Sequence, residues 1–186
     1  MPSKITEKKL KNKRFRRTEE SLLAALLVTR DAVSLERLIR LARISRSTIY
    51  RHHGTVQKIV PNYHEYIMAK YKRMLKSLFK IKHIRIKSIY HSILDFLKTY
   101  QQIIDFLYHN GDSRIIEEML LLLEPKIIDF GKIADKDTFA IYTKGISAVI
   151  EKWISDGFNK SDIPRVVEKI IYLTNTAKPY LAPIAD

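Results

Sequence analysis

Side chains suited to chemistry are concentrated in a short segment that follows a tight turn. Arg46, Ser47 and Thr48 bring a guanidinium and two hydroxyl groups to three consecutive positions. A guanidinium can pair with guanine O6 and N7, and a threonine methyl group can contact thymine. Later side chains of the segment could reach phosphate oxygens; these are Tyr50, Arg51 and His52. The pattern favours recognition of nucleic acid.

Other kinds of site find little support in the sequence. The chain has no Cys, which excludes disulfides, zinc–thiolate sites and iron–sulfur clusters. It contains no glycine-rich phosphate loop and no His-Glu-x-x-His motif. His52 and His53 are adjacent and should point to different helical faces, so we expect a solvated or phosphate-contacting role rather than a shared metal. We therefore expect no enzyme activity, no metal and no cofactor.

Two short helices joined by a turn must hold the polar segment. Ser34 should cap a helix over residues 35–42, and Ser45 should cap a second helix from Arg46 to His52 or His53. Gly54 should end the second helix with a left-handed backbone. The residues expected to face inward are Leu35, Leu38, Ile39 and Ala42 from the first helix and Ile49 from the second.

The positive charge is concentrated toward the N-terminus. The net charge is +14, yet residues 1–60 have 15 Lys and Arg against 5 Asp and Glu, while residues 88–186 have 11 against 14. Residues 1–17 are expected to form a flexible basic arm that follows a phosphate backbone or enters a minor groove. This gradient indicates a polyanion-binding end, and the polyanion could be nucleic acid or an anionic membrane surface.

Helical periodicity continues through the rest of the chain. Thr18 should cap a helix over residues 19–30, with Glu19 and Glu20 beside the positive end of its dipole. Further helices are expected over residues 86–108, over 113–124 up to Pro125, and in two segments after residue 138. Ser161 or Asp162 should cap the last of them, with Pro164 in its first turn. No stretch alternates with a period of two, so the expected fold is all-α. The longest aliphatic run has five residues (119–123) and the N-terminus is polar, which favours a cytoplasmic protein with no membrane span and no secretory signal.

One segment resembles a known family. The sequence SLERLIRLARISRSTIYRHHGTVQKIV (residues 34–60) is similar to the DNA-binding domain of the tetracycline-repressor (TetR) family. The matching positions are Ser34, Ala42, Ser45, Thr48, Tyr50 and His52. Arg43 stands where the family usually has Gly, His53 replaces an aromatic residue with looser packing expected, and Val56 replaces a Lys. Residues 145–173 are similar to the regulatory domain of many members.

The resemblance implies a homodimeric transcriptional regulator, a repressor that an effector releases from a palindromic operator. Residues 18–60 would form the helix-turn-helix domain and residues 61–186 the regulatory and dimerisation domain. The candidate DNA contacts are Arg14, Arg16, Arg17, Ser34, Arg43, Ser45, Arg46, Ser47, Thr48, Tyr50, Arg51 and His52. The last two helices would pair with those of a second copy through Tyr142, Ile146, Val149, Ile150, Trp153, Val167, Ile170 and Ile171.

Three alternatives stay open at this point. An effector pocket could be lined by Phe96, Tyr100, Phe106 and Met119, or these residues could simply be core. Trp153 could anchor the dimer or pack within its own subunit. The whole chain could instead be a basic helical protein that docks on an anionic membrane or an acidic partner.

Overall fold

The described part of the chain consists of helices joined by turns. A computed structural model describes Ile5 and residues 12–29, 34–110, 114–129 and 136–176. Its helices are α1 (Lys13–Thr29), α2 (Leu35–Ala42), α3 (Arg46–His53), α4 (Ile59–Leu78), α5 (Ile86–Thr99), α6 (Gln101–His109), α7 (Ile115–Leu121), α8 (Glu124–Asp129), α9 (Lys136–Ser155) and α10 (Ile163–Thr176). These ranges contain no β-strand, which confirms the all-α prediction for them.

The chain divides into two compact units. The first comprises Met1–Lys70 and Tyr100–Ile115, and the second comprises Tyr71–Thr99 and Ile116–Asp186. The first unit therefore extends beyond residue 60, where the sequence placed a boundary. The physical reason is that α6 packs on α1, so this later helix belongs with the N-terminal ones.

Local capping signals predicted the turn between α2 and α3 well. The Ser34 side chain accepts a hydrogen bond from the Arg37 amide, and the Ser45 side chain accepts one from the Thr48 amide, each at 3.2 Å. Arg43 lies in the left-handed region, with φ 52° and ψ 42°. Gly54 has the predicted positive φ of 81°, although its ψ of −52° is not that of a left-handed helix.

The inward faces of these two helices agree in part with the prediction. Leu38 and Ile49 have no exposed surface and Ala42 is buried. Leu35 and Ile39 are only half-buried, so the buried stripe of α2 is narrower than the sequence suggested. Such a short helix has room for few full core positions.

α1 begins earlier than predicted. Its first residue is Lys13, so residues 13–17 are helical rather than part of a flexible arm. The side-chain oxygen of Asn12 accepts hydrogen bonds from the amides of Arg14 and Phe15 at 2.9 and 3.2 Å, which is the capping role that the sequence assigned to Thr18. The Thr18 hydroxyl instead donates to the Arg14 carbonyl inside the helix. Of the predicted arm before Asn12, only Ile5 lies within the described residues.

Three boundaries later in the chain also differ from the prediction. The single helix expected over residues 86–108 is divided at Tyr100 into α5 and α6. Pro125 does not stop a helix but is the second residue of α8, because a proline in the first turn displaces no hydrogen bond. Asn159, not Ser161 or Asp162, is the capping residue here: it caps a 3-10 helix (Lys160–Asp162) that leads into α10, whose second residue is the expected Pro164.

The second unit has its core where α10 packs on α5 and α9. Most of the residues predicted to pair with a second copy lie in this core: Tyr142, Ile146, Ile150, Trp153, Val167 and Ile170 are all buried within the chain, while Val149 and Ile171 are half-buried. The Trp153 indole N–H donates to the Asn159 carbonyl at 2.9 Å, and its ring meets Phe158 edge-on. The structure therefore places Trp153 in its own subunit.

Membrane insertion of a helix finds no support in the described ranges. None of the helices there combines the length and the apolar character that crossing a bilayer requires.

The left-handed backbone of Arg43 predicts an effect on stability. Arg43→Gly should raise the free energy of unfolding by about 1 kcal/mol, because glycine adopts this conformation without a Cβ clash. The matched control is Arg40→Gly, which removes the same charge from a helical position of α2 and should lower stability by about 1 kcal/mol. Urea titration of both variants measures the difference; equal destabilisation by the two would contradict the expectation.

Candidate nucleic-acid interface

α3 exposes a polar face to solvent and buries the opposite face. Its eight residues bury Ile49, His52 and His53, which follow a spacing of three and four and so lie on one side. Its exposed residues are Arg46, Ser47, Tyr50 and Arg51, with Thr48 half-buried. The groups that the sequence selected for base recognition therefore lie on the accessible side of a helix thin enough for a major groove.

Two local contacts hold the beginning of α3. The Ser45 hydroxyl lies 2.9 Å from the Ser47 hydroxyl and 2.8 Å from that of Thr48, in the first turn of the helix. The Arg46 guanidinium bonds to Glu36 of α2 at 3.0 Å. Both partners of this ion pair are largely exposed, so it contributes little energy and could be exchanged for another anion.

A groove runs between the start of α1 and the turn before α3. One part has a cavity volume of about 380 Å³ and is lined by Asn12, Arg14, Phe15, Thr18, Arg43, Ile44, Ser45, Thr48, Arg51 and His52. The adjoining, more open part is lined by Lys13, Arg14, Arg17, Thr18, Ser21, Ala42, Arg43 and Ile44. The two parts share residues of α1 and of the turn, and together they form what we name the cationic groove.

The cationic groove is suited to binding phosphate. Its walls carry five cations, Lys13, Arg14, Arg17, Arg43 and Arg51, and none of the described lining residues is Asp or Glu. The planar guanidinium group of arginine can donate two hydrogen bonds to a phosphate at once, and the amides at the start of α3 add partial positive charge. Seven candidate DNA contacts line this groove: Arg14, Arg17, Arg43, Ser45, Thr48, Arg51 and His52. Arg16 instead pairs with Glu20 at 3.5 Å, and Ser34 lies at the start of α2.

His52 and His53 are not the solvated residues that the sequence suggested. The His52 ring stacks on Phe15 with centroids 4.1 Å apart, and its Nδ1 lies 2.6 Å from a Glu19 oxygen. His53 is completely buried, and its Nε2 lies 3.3 Å from the other Glu19 oxygen. Both rings therefore turn toward one carboxylate. His52 also lines the cationic groove, and its contact with DNA stays a prediction.

Glu19 is the residue that the sequence reasoning missed. It is 5 % exposed, and besides the two histidines it accepts a hydrogen bond from the Tyr63 hydroxyl of α4 at 2.6 Å. We call Glu19, His52, His53 and Tyr63 the Glu19 cluster. A signal for it exists in the sequence, because Glu19 precedes Leu22, Leu23 and Leu26 by three, four and seven positions and so lies on the buried face of α1. The sequence led us to expect Glu19 in the first turn of the helix, beside the positive end of the helix dipole. Because α1 starts six residues before Glu19, this residue lies beyond the first turn.

The charge of Glu19 is stabilised by its partners. Burial alone raises the pKa of a carboxyl group, but the hydrogen bond from His52, the close approach of His53 and the hydrogen bond from Tyr63 together outweigh it and lower the pKa of Glu19 from 4.5 to about 2. Burial, followed by the negative charge of Glu19, raises the pKa of Tyr63 well above its ordinary value. Glu19 is therefore an ionised acceptor at neutral pH.

The described ranges contain no group of three or more His, Asp or Glu side chains that could hold a metal ion.

The four residues considered for an effector pocket are divided between the two units. Tyr100 and Phe106 belong to the first unit, and Phe96 and Met119 belong to the second. Phe106 packs edge-on against Tyr63, and Phe96 packs in the same way against Tyr71. All except Tyr100 are buried, as core residues are.

Comparison of the chain with protein-family models finds no match. Comparisons with curated proteins and with solved structures find none either.

The lowered pKa of Glu19 predicts acid sensitivity. Because the folded pKa lies below the unfolded one, the cluster stabilises the fold above pH 4.5, and this contribution is lost as the pH falls toward about 2. The loss should amount to about 3 kcal/mol in the wild-type chain. Glu19→Gln should lack this part of the pH dependence, and Glu20→Gln, at an exposed neighbouring position, should retain it. Urea titrations across this pH range test it, and parallel profiles for all three proteins would contradict it.

Proposed function

We propose that the chain is a sequence-specific DNA-binding regulator of transcription. The observation that carries the proposal is the position of the exposed polar face of α3 directly beside the cationic groove, since Ser45, Thr48 and Arg51 contribute to the groove and flank or belong to α3. In this proposal α3 enters the major groove, where Arg46 and Ser47 contact base edges. The cationic groove receives phosphates of the adjoining backbone.

The regulatory part of the proposal draws on the resemblance to the TetR family. Two copies would present two α3 helices about 34–36 Å apart, to match a palindromic operator. An effector would favour a dimer in which this spacing is wrong, and a repressor would then leave the DNA. The protein surface that joins the copies would include residues other than the buried core of α9 and α10.

Selection of duplexes from a random pool is the experiment that tests the function. We expect the full chain to enrich a palindromic sequence and to bind it with an affinity that falls steeply with salt, because phosphate contacts release counterions. Recovery of no preferred sequence would overturn the proposal. Co-sedimentation with anionic vesicles in the same buffer tests the membrane alternative, which binding to vesicles without any DNA preference would support.

The cationic groove predicts uniform effects on affinity. Arg14→Ala and Arg17→Ala should each weaken binding to the selected duplex and to random duplex alike, by about tenfold at moderate salt. Each should also reduce the slope of log affinity against log salt by about 1. Lys169→Ala, which removes an exposed cation from α10, should change neither quantity. Mobility-shift titrations at several salt concentrations measure both, and an unchanged slope in the α1 variants would remove the groove from the interface.

The exposed face of α3 predicts an effect on base preference. Arg46→Ala should relax the preference at one position of the site by about 1–3 kcal/mol. Glu36→Gln is the matched control, since it removes the ion pair with Arg46 but keeps the guanidinium, and it should preserve the preference. Tyr50→Phe should weaken binding to all duplexes alike. Binding to single-position variants of the selected duplex distinguishes these effects; a preference retained in Arg46→Ala would show that this residue does not read the base.

A further inference from the structure

The orientation of α3 depends on very few contacts. An eight-residue helix is not stable in isolation, so its direction must come from packing. Ile49 is the one aliphatic residue that α3 buries in the described structure, and its other two buried residues are His52 and His53. Apolar contact is non-directional, whereas hydrogen bonds have preferred directions. Rotation of α3 about Ile49 is therefore resisted mainly through the two histidines, and both approach Glu19.

The protonation of His53 follows from its neighbour Asn62. The Asn62 amide nitrogen lies 3.3 Å from the His53 carbonyl and 3.3 Å from His53 Nδ1. A carbonyl can only accept, so the amide group that faces it must be the NH₂, which then also donates to Nδ1. Nδ1 is therefore unprotonated, and the proton of His53 is on Nε2, the atom that approaches Glu19.

The protonation of His52 follows from Glu19 itself. Ionised Glu19 is an acceptor only, and His52 Nδ1 lies 2.6 Å from one of its oxygens, so this nitrogen must carry a proton. The Tyr63 hydroxyl donates to the other oxygen. Donors from α3 and α4 thus converge on a carboxylate of α1, and the face of the His52 ring is held by Phe15 of the same helix.

We propose that Glu19 is a positioning residue, whose carboxylate fixes the orientation of α3 relative to α1 and so aligns the exposed face of α3 with the cationic groove. Its consequence for DNA rests on the proposed function. α1 supplies both Glu19 and the groove residues Lys13, Arg14 and Arg17, so a rotation of α3 on Glu19 separates base contacts from phosphate contacts.

Three variants separate positioning from a loss of stability. Glu19→Gln keeps the shape of the side chain but replaces one acceptor oxygen by an NH₂ donor. The partner that faces this NH₂ group, Tyr63 or His52, must then accept a hydrogen bond instead of donating one. Tyr63→Phe removes a hydrogen bond of the same cluster while both histidine contacts remain. Glu20→Gln makes the same chemical change at an exposed position of α1. All are measured as full chains well below their unfolding transitions.

The DNA readout is the ratio of affinity for the selected duplex to affinity for random duplex. We expect this ratio to fall about tenfold in Glu19→Gln. It should remain at the wild-type value in Tyr63→Phe and Glu20→Gln, and the salt slope should remain the same in all. An equal fall in Glu19→Gln and Tyr63→Phe, or none in either, overturns the inference, because a merely structural role would follow stability.

A second readout does not depend on DNA. Nitrogen-edited NMR of the full chain should find His52 protonated at Nδ1 and His53 at Nε2, and residual dipolar couplings of the α3 amides should change relative to those of α1 in Glu19→Gln alone. Unchanged couplings in Glu19→Gln overturn the inference. If the wild-type chain selects no duplex, the proposed function fails, while these couplings still decide whether Glu19 orients α3.

Discussion

A buried carboxylate that accepts hydrogen bonds from two other helices is the constraint on which the first unit depends. Removing a charge from water costs several kcal/mol unless donors replace the lost hydration. Glu19 recovers this cost only when α3 and α4 bring His52, His53 and Tyr63 to it. Any arrangement of the three helices that moves one of these donors away from Glu19 is therefore less stable. This constraint gives α3, a short and mostly polar helix, a defined direction.

α1 performs two tasks with two of its faces. Phe15 and Glu19 lie one turn apart and hold His52, while Arg14 and Arg17 line the cationic groove. The spacing of a helix makes this division possible, because residues four apart share a face and their neighbours lie about 100° away. The same helix thus supplies one wall of the groove and contacts the helix beside it, while Arg43 and Ser45 of the turn supply another part of the wall.

The sequence predicted the features that depend on local chemistry, and it failed where distant residues decide. Ser34, Ser45 and Gly54 were identified correctly because a cap acts within three or four residues. The sequence analysis assigned His52 and His53 to different helical faces. Adjacent residues are about 100° apart around a helix axis, and the side of α3 that is buried against α1 and α4 is wide enough to include both. Their partner Glu19 is 33 residues away from His52, so no local pattern joins them. Periodicity likewise identified the inward faces of α9 and α10 but not whether this chain or a second copy covers them.

The cationic groove is difficult to explain by stability alone. Five cations around one concavity repel one another, and none of the described residues that line it is Asp or Glu. Elsewhere in the chain, cations such as Lys144 pair with carboxylates; its partner is Glu117. A fold selected only for stability would replace several of the groove cations at little cost, since exposed charges contribute little to packing. An anion that enters the groove removes the repulsion, and a duplex supplies phosphates at a regular spacing beside the helix that could read its bases.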